Sequence, residues 1–248
     1  MDRVLLTGAA GFLSGFIIDA LKDDYKLTLF DRVDLETDLS FVQADICDLD
    51  AVLEAAAGHD AIVHTVALVR GRQQKTVSDF ADIVIKGTWH VLAACAQLQI
   101  KRLVNISSVV ADGSTRPSPV PLKPGDTASY SPVDLNYCIS KKIGEVLADA
   151  YAQAHGTSTI HLRPGVIAGD GANPGPKADA ADKNGPWFTY VDPRDVAAAV
   201  RCALQTDRAS GTYNIVAGRA DSLFDWHSAR REIGYAPQHN WPGIEEVR

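Results

Sequence analysis

Short apolar runs rich in strand formers alternate with longer stretches of helical periodicity through the first two thirds of the chain. Arg3 to Thr7 reads as a strand, and the apolar stretch from Phe12 that follows a glycine turn reads as a helix. Lys26 to Phe30 reads as a second strand, ending in Asp31, and Leu39 to Ala44 as a third. Asp48 to Ala57 predicts a helix with Asp48 as its N-cap. Asp60 to Thr65 reads as strand four, Val77 to Leu98 carries helical periodicity, and Arg102 to Ser107 reads as strand five. A long helix over Asp134 to His155 and a sixth strand over Ser158 to Arg163 follow. Farther on, Asp192-Pro193 opens a helix as N-cap and first-turn proline, with Asp195 supporting the first turn. Such alternation predicts an α/β fold, a doubly wound parallel sheet with helices on both faces. Ligands of such sheets bind beyond the C-terminal ends of the strands. Those ends carry Gly8, Asp31, Ala67, Ser107 with Ser108, and Arg163-Pro164.

The turn Gly8-Ala9-Ala10-Gly11 stands between strand one and the first helix. That is the context in which a glycine pattern holds a dinucleotide in a Rossmann-type sheet. Gly8 permits the sharp turn, and Gly11 lets the backbone approach a pyrophosphate at the helix N-terminus, where free N–H groups and the helix dipole favour negative charge. The third position of the pattern is Ser14, a small residue compatible with close helix–strand packing, and Gly15 comes one place late. Asp31 lies where a carboxylate meets the adenosine ribose diol and repels a 2′-phosphate, which favours NAD over NADP. Arg32 beside it is able to receive such a phosphate, so NADP stays open as the less favoured cofactor. The bland reading of Asp31 is a turn residue after a strand.

Composition narrows the class. A chain of 248 residues buries a substantial core in one domain, with or without a small lobe. A net charge of −7 argues against nucleic acid as the main partner. No apolar run approaches the roughly eighteen residues of a membrane span. The first residues lead directly into strand one, so no signal peptide is expected. Cys47, Cys95, Cys138 and Cys202 form no metal-ligand spacing and no evident disulfide framework, which points to reduced thiols in a cytoplasm and to no bound metal.

Tyr137 and Lys141 stand four residues apart, with Ser108 upstream. A phenol, an ammonium and a hydroxyl together can move one proton at a carbinol carbon. With the glycine turn, Asp31, Asp45-Ile46, His64 through Ala67, Gly87-Thr88, Asn105 through Ser108, Leu162 through Gly165 and Tyr190 through Val196, the ordered set resembles the extended short-chain dehydrogenase/reductases. These are the NAD-dependent sugar epimerases and dehydratases, and the resemblance runs over nearly the whole chain.

It implies an NAD-binding Rossmann core over residues 1–165 and a short substrate-binding lobe over residues 166–248, interleaved with the core. It also implies roles. Tyr137 would be the general acid/base. A free phenol, with a pKa near 10, is too weak a base at neutral pH, and the charge of Lys141 one helical turn on would lower it. Lys141 would also hold the nicotinamide ribose. Ser108, five residues before Gly113 as in the family, would steady the substrate oxygen. Gly8, Gly11, Phe12 and Leu13 would take the pyrophosphate region, Asp31 and Arg32 the adenosine ribose, and Asp45 and Ile46 the adenine. Ala67 and Pro164, with Tyr137 and Lys141, would complete the cofactor site. A homodimer through the helices starting near Val77 and Asp134 is implied as well.

Three departures from the family pattern stand out. Val84 occupies the place of an asparagine that serves a water-linked proton relay, Asn136 replaces a common proline, and the part after Gly165 is short. A short lobe suits a small, polyhydroxylated substrate better than a nucleotide sugar. The ending Trp226 with Ala229 through Pro237 resembles uronate dehydrogenases, but the loop from Gly169 to Trp187 offers Lys177 and Lys183 and no arginine to clamp a carboxylate. Uronate is therefore one possible substrate. Arg70 and Arg72 after strand four could serve an anionic substrate or a solvated loop, and Ser129 and Tyr130 lie on a proline-stiffened loop near the site. His64 reads as facing the cofactor side or the core. The expectation is an NAD-dependent oxidoreductase acting on a small sugar-like substrate. An epimerase that recycles its NAD and a non-catalytic dinucleotide-binding module are the alternatives.

Overall fold

The computed structural model describes residues 1–68, 76–113, 121–126, 129–167, 190–218 and 222–239. Arg70, Arg72, Lys177 and Lys183 lie outside them. The strands are β1 (Arg3–Thr7), β2 (Lys26–Asp31), β3 (Ser40–Gln43), β4 (Ala61–His64), β5 (Arg102–Ile106), β6 (Ser158–Pro164), β7 (Val166–Ile167), β8 (Tyr190–Val191) and β9 (Ser210–Ile215). The helices are α1 (Phe12–Leu21), α2 (Leu49–Ala56), α3 (Val77–Asp79), α4 (Gly87–Leu98), α5 (Leu135–His155), α6 (Pro193–Gln205) and α7 (His227–Ile233). A π-helical stretch, Phe80–Lys86, joins α3 to α4, and a single 3₁₀ turn, Val109–Asp112, follows β5.

Seven strands form one sheet in the order β3-β2-β1-β4-β5-β6-β9, with every pairing parallel. Strands buried on both faces explain the near-continuous apolar runs, such as Ala61–His64 and Arg102–Ile106, in which every residue is buried. On one face Val4, Leu6, Val63, Val104, Ile160 and Leu162 pack against residues of α1, α6 and α7. On the other, Leu5, Ile62 and Leu103 pack against α2, α4 and α5. The strand order reverses at β1, so the loops leaving paired β1 and β4 turn to opposite faces of the sheet, and the crevice between them is the binding position in this architecture.

Strand bounds follow the sequence reading closely. Asp48 caps α2, its side chain accepting the amide of Ala51 at 3.2 Å. Asp192 caps α6 on Arg194 N at 2.8 Å, with Pro193 in the first turn. The helical periodicity from Val77 to Leu98 resolves into three pieces, because around Val84 each turn widens to take in an extra residue. Residues 210–215, beyond position 166, extend the main sheet as β9.

No helix among the described residues is long and apolar enough to cross a membrane. Cys47, Cys95, Cys138 and Cys202 are all free thiols, and no cluster of metal-ligating side chains occurs among the described residues.

Candidate active site

The glycine turn is tied down from three sides. The amides of Gly8 and Ala9 both donate to Phe30 O, at 2.9 and 3.2 Å, which binds the turn to the end of β2. Gly8 adopts φ +80°, and a Cβ placed there would lie 2.6 Å from Thr65 Oγ1 and 3.1 Å from Val66 N. The loop after β4 therefore packs directly on the turn, and only glycine fits. Ser14 is more than a small residue: its hydroxyl donates to Gly8 O at 2.7 Å and meets Thr65 Oγ1 at 3.0 Å. The N-cap of α1, Gly11, makes no side-chain cap, which leaves the first-turn amides at that end without one among the described residues. Gly11, Ala10 and Phe12 are exposed there. A phosphate fits such an end, since it satisfies the donors and meets the positive pole of the helix dipole.

Asp31 closes the crevice at the end of β2. Its Oδ2 accepts from Ala10 N at 3.0 Å and its Oδ1 from Val33 N at 2.9 Å. Both bonds hold the carboxylate at the mouth of the turn, and each oxygen keeps a lone pair for a diol. Arg32 is exposed beside it. At the end of β3, exposed Asp45 accepts Cys47 N at 2.9 Å through Oδ1. Ile46 is buried, its carbonyl accepts from His90 Nδ1 at 2.9 Å, and its side chain fills the space beside Gly87, where a Cβ would come within 2.9 Å of Ile46 Cγ2. Ala67 lies half-buried after β4, and Pro164 is buried at the end of β6.

Tyr137 occupies the first turn of α5, half-buried, and Lys141 follows one turn later on the same face. Ser140 Oγ donates to Tyr137 O at 2.8 Å. The Lys141 ammonium is 7% exposed and donates to Ile106 O at 2.8 Å and Val66 O at 3.5 Å. The last carbonyl of β5 and a carbonyl of the loop after β4 thus hold it at the crevice. Burial pushes its pKa down to about 8, and the nearby carboxylate of Glu145 opposes that shift. Ser108 is buried and caps the 3₁₀ turn, its Oγ accepting from Val110 N at 3.4 Å. Ser107 Oγ is buried without a hydrogen-bond partner among the described residues.

A row of polar side chains crosses the sheet just beneath the site, because the register aligns Thr7 with His64, His64 with Asn105 and Asn105 with His161. Thr88 Oγ1 lies 2.6 Å from Val84 O, and a carbonyl only accepts, so the hydroxyl proton goes there. His64 Nε2 must then carry hydrogen and donate to Thr88 Oγ1 at 3.1 Å, and Nδ1 accepts from Thr7 Oγ1 at 2.7 Å. That arrangement requires a neutral ring. Burial, reinforced by the charge of Lys141, pushes the His64 pKa down to about 3. His64 is thus a structural core histidine, and Val84 contributes its carbonyl to this chain of hydroxyls from within the π stretch.

The sign of this shift predicts acid lability. An unfolded histidine titrates near 6.5. Between that value and about 3 the unfolded chain binds one more proton than the folded one through His64. Stability is therefore expected to fall as pH drops below about 6.5, by up to about 1.4 kcal/mol per pH unit from this group. His59, lowered by its own burial and the charge of Arg3, acts in the same direction. Urea midpoints at a series of pH values check this, and His64→Gln should flatten the slope.

The site residues named from sequence therefore meet at one edge of the sheet. Gly8, Gly11, Phe12, Leu13 and Asp31 line one side of the crevice, Lys141 reaches the ends of β4 and β5, and Ser108 opens the turn after β5. Tyr130, half-exposed, donates to Ala111 O at 3.0 Å, next to that turn.

Solved structures share this fold. Superposition on the uronate dehydrogenase from Agrobacterium tumefaciens gives a TM-score of 0.79 at 23% identity, covering 97% of this chain and 85% of that one. A UDP-glucose 4-epimerase from Thermotoga maritima gives 0.74 at 19% identity, covering 95% of this chain and 94% of that one. At such identities the likeness establishes the fold. Among curated proteins, L-arabinose 1-dehydrogenase (NAD(P)(+)) of Haloferax volcanii is 28% identical over 260 residues, spanning 99% of this chain and 100% of that protein. The model of the NAD dependent epimerase/dehydratase family matches residues 4–216. A Rossmann sheet with its glycine turn, and a family match over most of its length, make this chain a member of the NAD dependent epimerase/dehydratase family, the extended short-chain dehydrogenase/reductases.

Proposed function

We propose that the protein is an NAD-dependent dehydrogenase that oxidises a carbinol carbon of a small sugar or sugar acid, with Ser108, Tyr137 and Lys141 as its catalytic residues. The carrying observation is the Lys141 ammonium, fixed at 2.8 Å from Ile106 O at the crevice, one turn along α5 from Tyr137. When bound, NAD supplies the hydride acceptor. The glycine turn, Phe12 and Leu13 hold its pyrophosphate, Asp31 its adenosine ribose, and Asp45 and Ile46 its adenine. Ala67 and Pro164 flank the nicotinamide end. Tyr137 takes the proton from the substrate hydroxyl, Ser108 hydrogen-bonds the same oxygen, and the Lys141 charge makes the phenol a stronger acid. Asp31 supports NAD over NADP, because a 2′-phosphate would meet its carboxylate.

Residues 1–165 carry the cofactor and residues 166–248 the substrate side. An aldose is the favoured substrate class. The whole-length similarity to an arabinose dehydrogenase supports it, as does the absence of arginine from Gly169 to Trp187. The test is the near-ultraviolet absorbance of NADH, with NAD or NADP, against L-arabinose, other aldoses, galacturonate, glucuronate and simple secondary alcohols. A rise with NAD and a sugar is expected. Interconversion of sugar epimers without net reduction would overturn this reading in favour of an epimerase, and silence across the panel would count for a binding module.

The apolar surface of α5 and its surroundings supports a homodimer. Val133, Leu135, Ile139 and Val146 are exposed there, next to exposed Trp89 of α4, whose Nε1 donates to Tyr151 OH at 2.8 Å. The proposed occupant is a second copy. Ile139→Glu with Val146→Glu should give a monomer by light scattering; an unchanged mass would count against the interface. The free thiols support a reducing cytoplasm as the location.

A further inference from the structure

One guanidinium joins the three elements around the site. Arg163, on β6, donates through Nε to Glu145 Oε1 at 2.7 Å and through Nη2 to Glu145 Oε2 at 2.6 Å. Its Nη1 pairs with Asp112 Oδ2. Both partners sit four residues beyond a residue of the proposed centre: Glu145 follows Lys141 on α5, and Asp112 follows Ser108 through the 3₁₀ turn. The Arg163 and Glu145 side chains are 4% and 5% exposed. Lys142 Nζ holds the other Asp112 oxygen at 2.6 Å, and Gly125 N donates to Asp112 Oδ2 at 2.9 Å.

A buried ion pair is weak evidence for stability, since apolar packing would hold these elements together as well. What a bidentate fork adds is a fixed angle and distance. We propose that Arg163 is a positioning residue: through Glu145 and Asp112 it sets the separation between the Ser108 turn and the face of α5 that carries Tyr137 and Lys141. The proposal rests on the catalytic reading above. It also explains why a carboxylate stands one turn beyond Lys141, where it keeps the buried ammonium charged. The ionisable groups around the bracket are Lys141, Lys142 and Asp149 of α5, Asp112 of the 3₁₀ turn, His161 of β6, His64 of β4 and Tyr130 of the neighbouring loop.

Three variants test it. Arg163→Lys keeps the charge and loses the fork. Asp112→Asn breaks only the arm to the Ser108 turn. Glu145→Gln combined with Arg163→Gln removes both charges at once, so it leaves neither partner buried as an uncompensated ion and remains informative if Arg163→Lys does not fold. The readouts are thermal unfolding, kcat and KM on the responding sugar, and the titration of Lys141 followed by NMR of labelled lysine Cε. For each variant kcat should fall about 10- to 100-fold, with KM for NAD little changed. The Lys141 midpoint should drop in the paired variant and stay in place in Asp112→Asn. A merely structural loss would lower the unfolding temperature without moving that midpoint. Folded variants with wild-type kcat, or a paired variant with an unmoved Lys141 midpoint, would overturn the proposal. Tyr137→Phe is the control: if it retains turnover, the catalytic reading fails, whereas an inactive Tyr137→Phe beside fully active bracket variants sinks this inference alone.

Discussion

Replacing Tyr137 by Phe should lower kcat by about 10²- to 10⁴-fold, the range of a lost general acid/base. The thermal midpoint should hardly move, because the ring is kept on a half-buried first turn of α5. KM for NAD should change far less than kcat, since Lys141 and the glycine turn are untouched. Steady-state kinetics beside a melting curve check all three, and near wild-type turnover would remove Tyr137 from the chemistry. Lys141→Met sharpens the test through an opposite sign in stability. The ammonium titrates at about 8 in the fold and near 10.5 when unfolded. Below the folded value the protein carries a charge it would be more stable without, so stability should rise as pH increases from about 8 to 10.5. At neutral pH that cost is on the order of 3 kcal/mol, less the two carbonyl bonds lost in the variant. Lys141→Met is therefore expected to be inactive yet at least as stable as the parent, the pattern of a residue kept for activity.

Gly8→Ala is expected to abolish cofactor binding under conditions where the parent saturates. The left-handed backbone alone costs a side chain roughly 1–2 kcal/mol. The larger effect is the collision at 2.6 Å with Thr65 Oγ1. That hydroxyl cannot yield freely, because it donates to Thr7 O at 2.8 Å and meets Ser14 Oγ at 3.0 Å. The turn must move instead, and with it the amides proposed to hold the pyrophosphate. Every 1.4 kcal/mol so lost weakens NAD about tenfold. Gly15→Ala is the matched control. Its methyl meets nothing within 4 Å, and alanine favours a helix interior, so binding should persist and stability should rise slightly. Calorimetric titration of NAD into both proteins decides the matter, and equal affinities would show that the turn does not carry the cofactor.

Much of this was legible in the chain because the relevant physics is local. Apolar runs bounded by turns marked β1 and β5 to within a residue, and Asp48 and Asp192 announced helix starts through their own side chains. Tyr137 and Lys141 are legible together because one helical turn separates them. Four features escaped for lack of a local signal. The π stretch from Phe80 to Lys86 keeps the apolar spacing of a helix, so periodicity merges it with its neighbours. Ser14 is visible as a small residue, but its bond to Thr65 depends on a strand made fifty residues later. Arg163, Glu145 and Asp112 are scattered through sequence and united only by the order of the strands. The spacing of Glu145 four residues after Lys141 was the one available hint. The C-terminal strand β9 was missed because Ser210–Ile215 carries only a brief apolar end.

The parallel order of the sheet has a consequence for biosynthesis. Among the described residues, the outer side of β6 is covered by β9, paired from Thr159↔Ser210 to Pro164↔Ile215. A nascent chain that has already delivered Tyr137, Lys141 and Arg163 to the tunnel exit still lacks that last strand. For the interval in which residues 165–209 are translated, β6 is an open edge flanked by apolar neighbours, a template for pairing with other chains. The strands from β1 to β5 can pair while still on the ribosome. The β6 side of the sheet stays sticky until β9 is made, and it is there that a chaperone would act.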